Sequence, residues 1–261
     1  MNLNFSPYHA LVCGGSKGIG KAIANELAAL GATVTLAARG EADLEKALQS
    51  LPTPNGQRHE YVCIDASNLT DIQAKIGELL AKKPIHILIN NSGGPAAGTI
   101  QSAETSAFLV AFEQHLIANH AITMLCLSGM KAAGFGRIIN IISTSVKQPL
   151  EGLGVSNTIR GAVASWAKTL SNEVAPFGIT VNNVLPGATS TERLAQIIKN
   201  NAVKKGISEA DAAHEMVQEI PMRRFATPEE VAVAATFLAS PAAAYITGIN
   251  IPVDGGRIKG L

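Results

Sequence analysis

Short runs of apolar residues alternate with longer segments of helical periodicity along the chain. The short runs are rich in Val, Ile and Leu and do not alternate with polar residues, which is typical of parallel strands buried on both faces. Seven strands are predicted, at residues 10–13, 33–37, 61–64, 85–90, 137–142, 180–185 and 250–253. Because strands that alternate with helices are joined by right-handed crossovers, the pattern predicts an α/β fold with a doubly wound, seven-stranded parallel sheet.

The first helix is the clearest of the predicted helices. Ile19, Ile23, Leu27 and Leu30 recur at helical spacing between the first two strands, and Gly31 is placed to end the helix. Residues 189–226 are the least strand-like part of the chain, since helical patterns and charges accumulate there. A single domain over residues 1–261 is predicted, with 189–226 as an insertion that covers the sheet edge as a substrate lid.

Composition narrows the class of protein. Apolar residues make up 47% of the chain and charged residues 16%, which favours a compact protein with subunit interfaces. The net charge of +1 gives no basis for binding nucleic acid or an anionic membrane. No apolar stretch approaches the ~20 residues of a membrane helix, and the first residues do not form a signal peptide. A cytoplasmic protein is expected, with Cys13, Cys63 and Cys126 as buried thiols and not as a disulfide or metal site.

A glycine-rich turn follows the first strand and opens the first helix. Residues 13–20 read Cys-Gly-Gly-Ser-Lys-Gly-Ile-Gly. Glycines at these spacings allow a tight turn and a close approach of the backbone to a pyrophosphate, while the helix N-terminus supplies free N–H groups. Its place between a strand and a helix predicts a dinucleotide site.

Two cations favour NADP(H) as the dinucleotide. An NAD site usually has an acidic residue at the end of the second strand, where it binds the ribose hydroxyls. This chain has Arg39 there, and Lys17 lies in the glycine turn. Both are predicted to contact the 2′-phosphate of NADP(H).

The turn resembles the Thr-Gly-x-x-x-Gly-Ile-Gly motif of the short-chain dehydrogenase/reductase family, with Cys13 in place of the threonine. Asp65 and Ala66 match the adenine-contacting segment, and 90–93 match Asn-Asn-Ala-Gly. Residues 186–189 match the Pro-Gly segment that holds the nicotinamide amide, and 245–248 with 253–256 match the C-terminal strand signature. The resemblance implies a Rossmann-type domain similar to 3-oxoacyl-acyl-carrier-protein reductases. The cofactor-binding residues it implies are Gly14, Ser16, Lys17, Gly18, Ile19, Gly20, Arg39, Asp65, Ala66, Asn91, Gly93, Pro186, Gly187 and Thr189.

The catalytic half departs from the family. There a tyrosine exchanges a proton with the substrate oxygen, a lysine lowers the pKa of the tyrosine, a serine binds the substrate and an asparagine supports a water relay. Ser143 matches the serine, but Ser156 stands at the tyrosine position, Arg160 at the lysine position and His115 at the asparagine position. A serine hydroxyl is a much weaker acid than a phenol, and an arginine stays protonated. Three roles stay open for Arg160: it can stabilise an alkoxide, hold a cofactor ribose or hold an anionic substrate.

Three tyrosines remain, and Tyr8, Tyr61 and Tyr245 all lie far along the chain from the catalytic segment. His115 is therefore the one plausible titrating group near the site, with an ordinary pKa of roughly 6.5. The favoured alternative is a packed or surface histidine that fills a vacated position. Lys147 and Glu151, on the loop between Ser143 and Ser156, are expected to be solvated.

Two functions stay open. One is an NADP(H)-dependent oxidoreductase acting on a small carbonyl or alcohol, in which Ser143 orients the carbonyl, Arg160 stabilises charge and His115 or water delivers the proton. The other is a catalytically impaired NADP(H)-binding sensor or partner protein. A third interpretation, an assembly subunit that keeps only the fold, is disfavoured by the preserved glycine turn. The resemblance also implies a homotetramer or homodimer.

Overall fold

The computed structural model describes residues 1–260. Seven parallel strands form one sheet in the order β3-β2-β1-β4-β5-β6-β7, which confirms the predicted fold. The strands are β1 (His9–Cys13), β2 (Thr33–Ala38), β3 (Glu60–Cys63), β4 (Ile87–Asn90), β5 (Gly136–Ile141), β6 (Ile179–Pro186) and β7 (Asn250–Val253). The fourth strand begins two residues later than predicted, because pairing with β1 starts at the Ala10–Ile87 pair.

Helices connect the strands. They are α1 (Gly18–Ala29), α2 (Glu41–Gln49), α3 (Leu69–Lys82), α4 (Thr105–Phe112), α5 (Ala118–Ala133), α6 (Gly154–Val174), α7 (Glu192–Lys205), α8 (Glu209–Gln218) and α9 (Pro228–Ala239). A π turn at Glu113–Ile117 separates α4 from α5. Gly31 follows the end of α1 with a φ of +101°, as its position in the sequence predicts. Within residues 1–260, none of the helices has the length and apolar character needed to cross a bilayer.

Apolar side chains cover the sheet on both faces. On one face, Ile23 and Leu27 of α1 pack with Val231 and Leu238 of α9 in a core that continues under α2. On the other, residues of α3, α5 and α6 pack with the strands, Ile72 and Ile122 among them. Cys13 and Cys126 are buried, but the prediction that all three thiols are buried is wrong for Cys63, because β3 is the edge strand.

The strand order reverses between β1 and β4. Chain connections leave in opposite directions at such a point, and this opens a crevice beyond the carboxyl ends of the strands. The loops after the two strands are in contact there, since the Asn91 side chain donates to the carbonyl oxygens of Cys13 and Gly14, each at 3.3 Å. The strand order of the sheet therefore determines where the crevice lies.

Residues 189–226 contain α7 and α8, which pack on each other. The two ends of the segment meet, because the Ser190 N–H donates to the Ala226 carbonyl at 2.8 Å and the Ala226 N–H to the Ala188 carbonyl at 3.0 Å. Side-chain caps start both helices: Thr191 accepts from the Leu194 N–H, and Ser208 from the Asp211 N–H. The segment is therefore a closed helical excursion from the end of β6.

Candidate functional site

A cavity of about 1530 Å³ lies beyond the carboxyl ends of the strands. It is lined by the glycine turn, the loops after β4, β5 and β6, the start of α6, and α7 with α8. The predicted site residues that line it are Gly14, Ser16, Lys17, Gly18, Ile19, Asn91, Gly93, Ser143, Ser156, Arg160, Pro186, Gly187 and Thr189. The fold thus brings the predicted cofactor segment and the predicted catalytic segment to one continuous space.

The remaining predicted site residues lie outside this lining. Gly20 packs against the glycine turn, and Arg39 is exposed at the end of β2. Asp65 and Ala66 line a second pocket of about 520 Å³. His115 is buried among the residues around the π turn.

The glycine turn has the geometry of an anion site. A Cβ on Gly20 would lie 2.1 Å from the Gly14 carbonyl oxygen, so only a glycine lets α1 start this close to the turn. Lys17 occupies the N-cap position of α1 without making a side-chain cap, and the first turn of the helix holds no acidic residue. The N–H groups at this end are left for an anion, which the helix dipole also favours. These residues fit the pyrophosphate of a dinucleotide.

Lys17 is held by carboxylates. Its Nζ lies 2.9 Å from Asp43 Oδ2 and 3.9 Å from Glu192 Oε2. The hydrogen bond and charge of Asp43, with a smaller effect of Glu192, raise the pKa of Lys17. Arg39 makes no ion pair with any described residue. A phosphate at Lys17 would therefore compete with Asp43, a partner that the sequence did not reveal.

Ser143 and the start of α6 form the catalytic half of the cavity. Ser143 follows β5, and its Oγ accepts from the Ser145 N–H at 3.1 Å. Ser156 and Arg160 are one helical turn apart on α6, and both line the cavity although they are buried. Arg160 Nη1 donates to the Ile141 carbonyl at 3.3 Å, which places the guanidinium beside the end of β5. Burial, with a smaller effect of Arg193, lowers the pKa of Arg160 to about 10, so it remains a cation at neutral pH.

His115 differs from its expected chemistry. The ring is only 1% exposed, and its Nδ1 lies 2.7 Å from Ser92 Oγ. Burial, followed by the charges of Arg160 and Arg193, lowers the pKa of His115 to about 3. The expected value near 6.5 is therefore wrong, because the surroundings disfavour the charged ring. At neutral pH His115 is a neutral partner of the Ser92 hydroxyl.

Two residues of the site were missed from the sequence. Ser92 lines the cavity, and the signal was its hydroxyl at the alanine position of the Asn-Asn-Ala-Gly segment. Arg193, at the start of α7, donates from Nη1 to the Gly94 carbonyl at 3.0 Å and from Nη2 to the Pro95 carbonyl at 2.7 Å. No pattern in 189–226 distinguishes Arg193 from the other charges, since its role depends on where the segment folds back.

The other candidates lie where the sequence predicted. Tyr8 stacks on Phe135 with ring centroids 4.1 Å apart, Tyr61 donates to Glu41 at 3.2 Å, and Tyr245 is fully exposed. None of these tyrosines lines the cavity. Lys147 is exposed outside the cavity, whereas Glu151 is an exposed residue of its lining.

Comparisons with known proteins show which proteins this chain resembles. A family model described as enoyl-(acyl carrier protein) reductase matches residues 14–257. The chain is 32% identical to the NADPH-dependent reductase BacG of Bacillus subtilis, over 97% of this chain and 98% of that protein. It is 31% identical to the 3-oxoacyl-(acyl-carrier-protein) reductase FabG of Vibrio cholerae, over 97% of this chain and 98% of that protein.

Solved structures agree with the sequence relatives. L-Sorbose reductase from Gluconobacter frateurii, complexed with NADPH and L-sorbose, superposes with a TM-score of 0.93 at 32% identity, and the match covers 100% of both chains. The actinorhodin polyketide ketoreductase with NADPH superposes with a TM-score of 0.91 at 30% identity, over 97% of this chain and 98% of that one. Sequence, sheet order and glycine turn all agree: the chain belongs to the short-chain dehydrogenase/reductase family.

Proposed function

We propose that the protein is an NADP(H)-dependent oxidoreductase that interconverts a carbonyl and an alcohol without the family's tyrosine. One observation carries the proposal: a single cavity joins the glycine turn to Ser143 and Arg160. An anion site for the dinucleotide and two groups able to bind a carbonyl oxygen therefore share one space. The relatives BacG and L-sorbose reductase, named for NADPH dependence and for an NADPH complex, support the choice of cofactor.

Each group in the catalytic half has a defined task. Bound NADP(H) supplies or takes up the hydride at the substrate carbon. Ser143 donates a hydrogen bond to the carbonyl oxygen and orients it. Arg160, buried and positively charged, stabilises the negative charge that this oxygen gains. Reduction thus places one hydride on carbon and leaves one proton to be added to oxygen.

Water is the proton donor in this proposal. His115 is neutral above its pKa of about 3, so no imidazolium is available at pH 7. Ser92, hydrogen-bonded to His115, presents a hydroxyl at the cavity wall that can hold such a water. A neutral imidazole fixes the orientation of this hydroxyl and leaves the delivery of the proton to solvent.

A second function has its own supporting observation. Of the described residues that line the cavity, none is a tyrosine, histidine or cysteine. The lining therefore lacks a histidine, the residue that most often acts as a general acid, and the tyrosine that the family uses. This favours the alternative of a catalytically impaired NADP(H)-binding sensor or partner protein.

NADPH oxidation at 340 nm across ketones, oxo acids and 3-oxoacyl thioesters separates the two functions. The reductase predicts turnover of at least one substrate class. Ser143→Ala is expected to reduce kcat by about 10²–10³-fold, the usual effect of losing one donor to a developing oxyanion. Ser165→Ala, an exposed position on α6, is the matched control. Tight NADPH binding with no turnover on any class would contradict the reductase and support the sensor.

A further inference from the structure

Two guanidinium groups line the cavity without a carboxylate partner. No Asp or Glu among residues 1–260 forms an ion pair with Arg160 or Arg193. Both donate only to backbone carbonyl oxygens, of Ile141 for Arg160 and of Gly94 and Pro95 for Arg193. Arg160 is 6% exposed, and a buried cation without a counter-ion is unfavourable. The two guanidinium groups are therefore suited to bind an anion.

The two cations act on one region of the cavity. Arg193 contributes to the lowered pKa of Arg160, and both contribute to the lowered pKa of His115. Both residues also line the cavity, so their positive charges repel each other within it. A negative group placed between them would remove this repulsion and would offer oxygen lone pairs to the free guanidinium N–H groups.

Four of the five acids that line the cavity have a lysine or arginine partner; Glu192 lies 3.9 Å from Lys17. Asp43 lies 2.9 Å from Lys17, Glu215 lies 2.5 Å from Lys205, and Glu219 lies 2.5 Å from Arg257. The fifth, Glu151, is exposed and forms no ion pair with either arginine among the described residues. The anion that completes the pair of arginines therefore comes from a bound molecule.

The positions of Arg160 and Arg193 indicate whether the anion belongs to the cofactor or to the substrate. The glycine turn and the start of α1 already provide for the phosphates of the dinucleotide. Arg160 instead contacts the Ile141 carbonyl, two residues before Ser143, and Arg193 contacts the loop after β4. We propose that Arg160 and Arg193 bind a carboxylate of the substrate, so that the protein acts on an oxo acid or the corresponding hydroxy acid.

This inference rests on the proposed oxidoreductase function and narrows its substrate class. The planar fork of a guanidinium matches the two oxygens of a carboxylate, whereas an ester offers no charge. Because Arg193 belongs to α7 and Arg160 to α6, the same carboxylate would join residues 189–226 to α6, in addition to the contact that Arg193 already makes with the loop after β4. Substrate charge and closure of this segment are then linked.

Calorimetry on the NADP⁺ complex tests the carboxylate site without turnover. The probes are three 2-oxo acids of increasing chain length, 2-oxobutanoate, 2-oxohexanoate and 2-oxo-4-phenylbutanoate, each paired with its ethyl ester. The expected result is that at least one acid binds ten times more tightly than its ester. Equal affinity within all three pairs, or no binding of any acid, would overturn the proposal.

Substitutions test whether Arg193 causes the preference for the acid over its ester. Arg193→Gln is expected to lower acid affinity at least tenfold and to leave ester affinity and the Kd for NADPH unchanged. Lys204→Gln, at another cation of the lining, should keep the preference for the acid. A loss in Arg193→Gln that is as large for NADPH as for the acid would assign the cation to the cofactor and overturn the proposal.

The proposed oxidoreductase function and the proposed carboxylate site can be disproved independently. If neither member of any pair, nor any other carbonyl, supports NADPH oxidation, the proposed oxidoreductase function is wrong. The binding preference is measured with the oxidised cofactor, so it still decides whether the carboxylate site exists.

Discussion

The imidazole of His115 is enclosed by the π turn and by Ser92, and two arginines act on it from the cavity side. An exposed histidine would titrate near neutral pH. Here burial has the largest effect on the pKa, and the two positive charges lower it further. The same residue type therefore serves as a neutral hydrogen-bonding partner and not as an acid.

Stability should depend on pH through this residue. The folded-state pKa of about 3 is lower than the unfolded value of 6.5, so the unfolded chain takes up the proton first as the pH falls. Stability is therefore lost from about pH 6.5 downward, by about 1.4 kcal/mol per pH unit for such a histidine. His115→Asn should reduce the slope of unfolding free energy against pH, measured by urea denaturation between pH 7 and 4.5.

His9 provides an internal comparison. Burial, and then the charge of Lys83, lowers its pKa to about 4, so it contributes a slope of the same sign. The His115→Asn variant is expected to keep the contribution of His9 to the slope of unfolding free energy against pH. Identical slopes in the wild type and His115→Asn would mean that the His115 ring is accessible to protons in the folded protein.

Cofactor choice is also decided by individual side chains. Lys17 forms an ion pair with Asp43, so the carboxylate competes with NADPH for the cation. Asp43→Asn is expected to tighten NADPH binding several-fold with little effect on NADH, whereas Lys17→Ala should weaken NADPH binding selectively. Fluorescence titration with both cofactors measures the ratio of the NADPH and NADH dissociation constants. Lys21→Ala is a control on α1. A preference for NADH in the wild type would contradict the roles of Lys17 and Arg39.

Among the elements, α1 depends most strongly on a glycine. A side chain at Gly20 would collide with the Gly14 carbonyl and approach the Asn91 side chain to 2.7 Å. Since backbone atoms cannot move aside cheaply, Gly20→Ala should displace the start of α1 from the glycine turn. We expect a loss of about 1–3 kcal/mol in stability and a large loss in NADPH affinity.

Gly77 on α3 is the matched control. A Cβ at this position meets nothing within 4 Å, and the residue lies inside a regular helix. Gly77→Ala should therefore raise stability by about 0.5–1 kcal/mol, because alanine restricts the unfolded chain more than glycine does. Denaturant unfolding of both variants gives the comparison, and a stabilised Gly20→Ala protein would contradict the close approach at the turn.

The glycine turn and α7 differ in how well local sequence patterns predict them. The place of the glycine turn between β1 and α1 agrees with the prediction, because a tight turn with a helix start directly after a strand requires particular residues locally. By contrast, α7 carries Arg193 into the cavity only because the ends of residues 189–226 meet at Ser190 and Ala226. No local pattern records such a contact between distant residues.

For the whole molecule, an apolar surface on α4 and α5 bears on the expected oligomer. Leu109 is 62% exposed and Val110 50% exposed on α4, with Phe112 and Met124 also exposed nearby in the chain. Several large apolar side chains exposed in two successive helices are typical of a protein interface. We therefore expect this surface to bind a second copy of the chain.

Light scattering after gel filtration tests this expectation. The wild type should be a homodimer or homotetramer, and Leu109→Glu with Val110→Glu should lower its mass at equal protein concentration. Val203→Glu places the same charge at an exposed apolar position of α7 and should leave the mass unchanged. A monomeric wild type would contradict the interface.

The sequence by itself determined the sheet, its parallel strands, the glycine turn and the positions of Ser143, Ser156 and Arg160, because periodicity, glycine conformation and chain order are local properties. The tertiary structure alone decided the pairing of Lys17 with Asp43, the neutral state of His115, and the approach of Arg193 to Arg160 in one cavity. The physical reason is that burial and charge interactions depend on distances between residues far apart in the chain. Those distances are set only when the helices and loops around the cavity pack together.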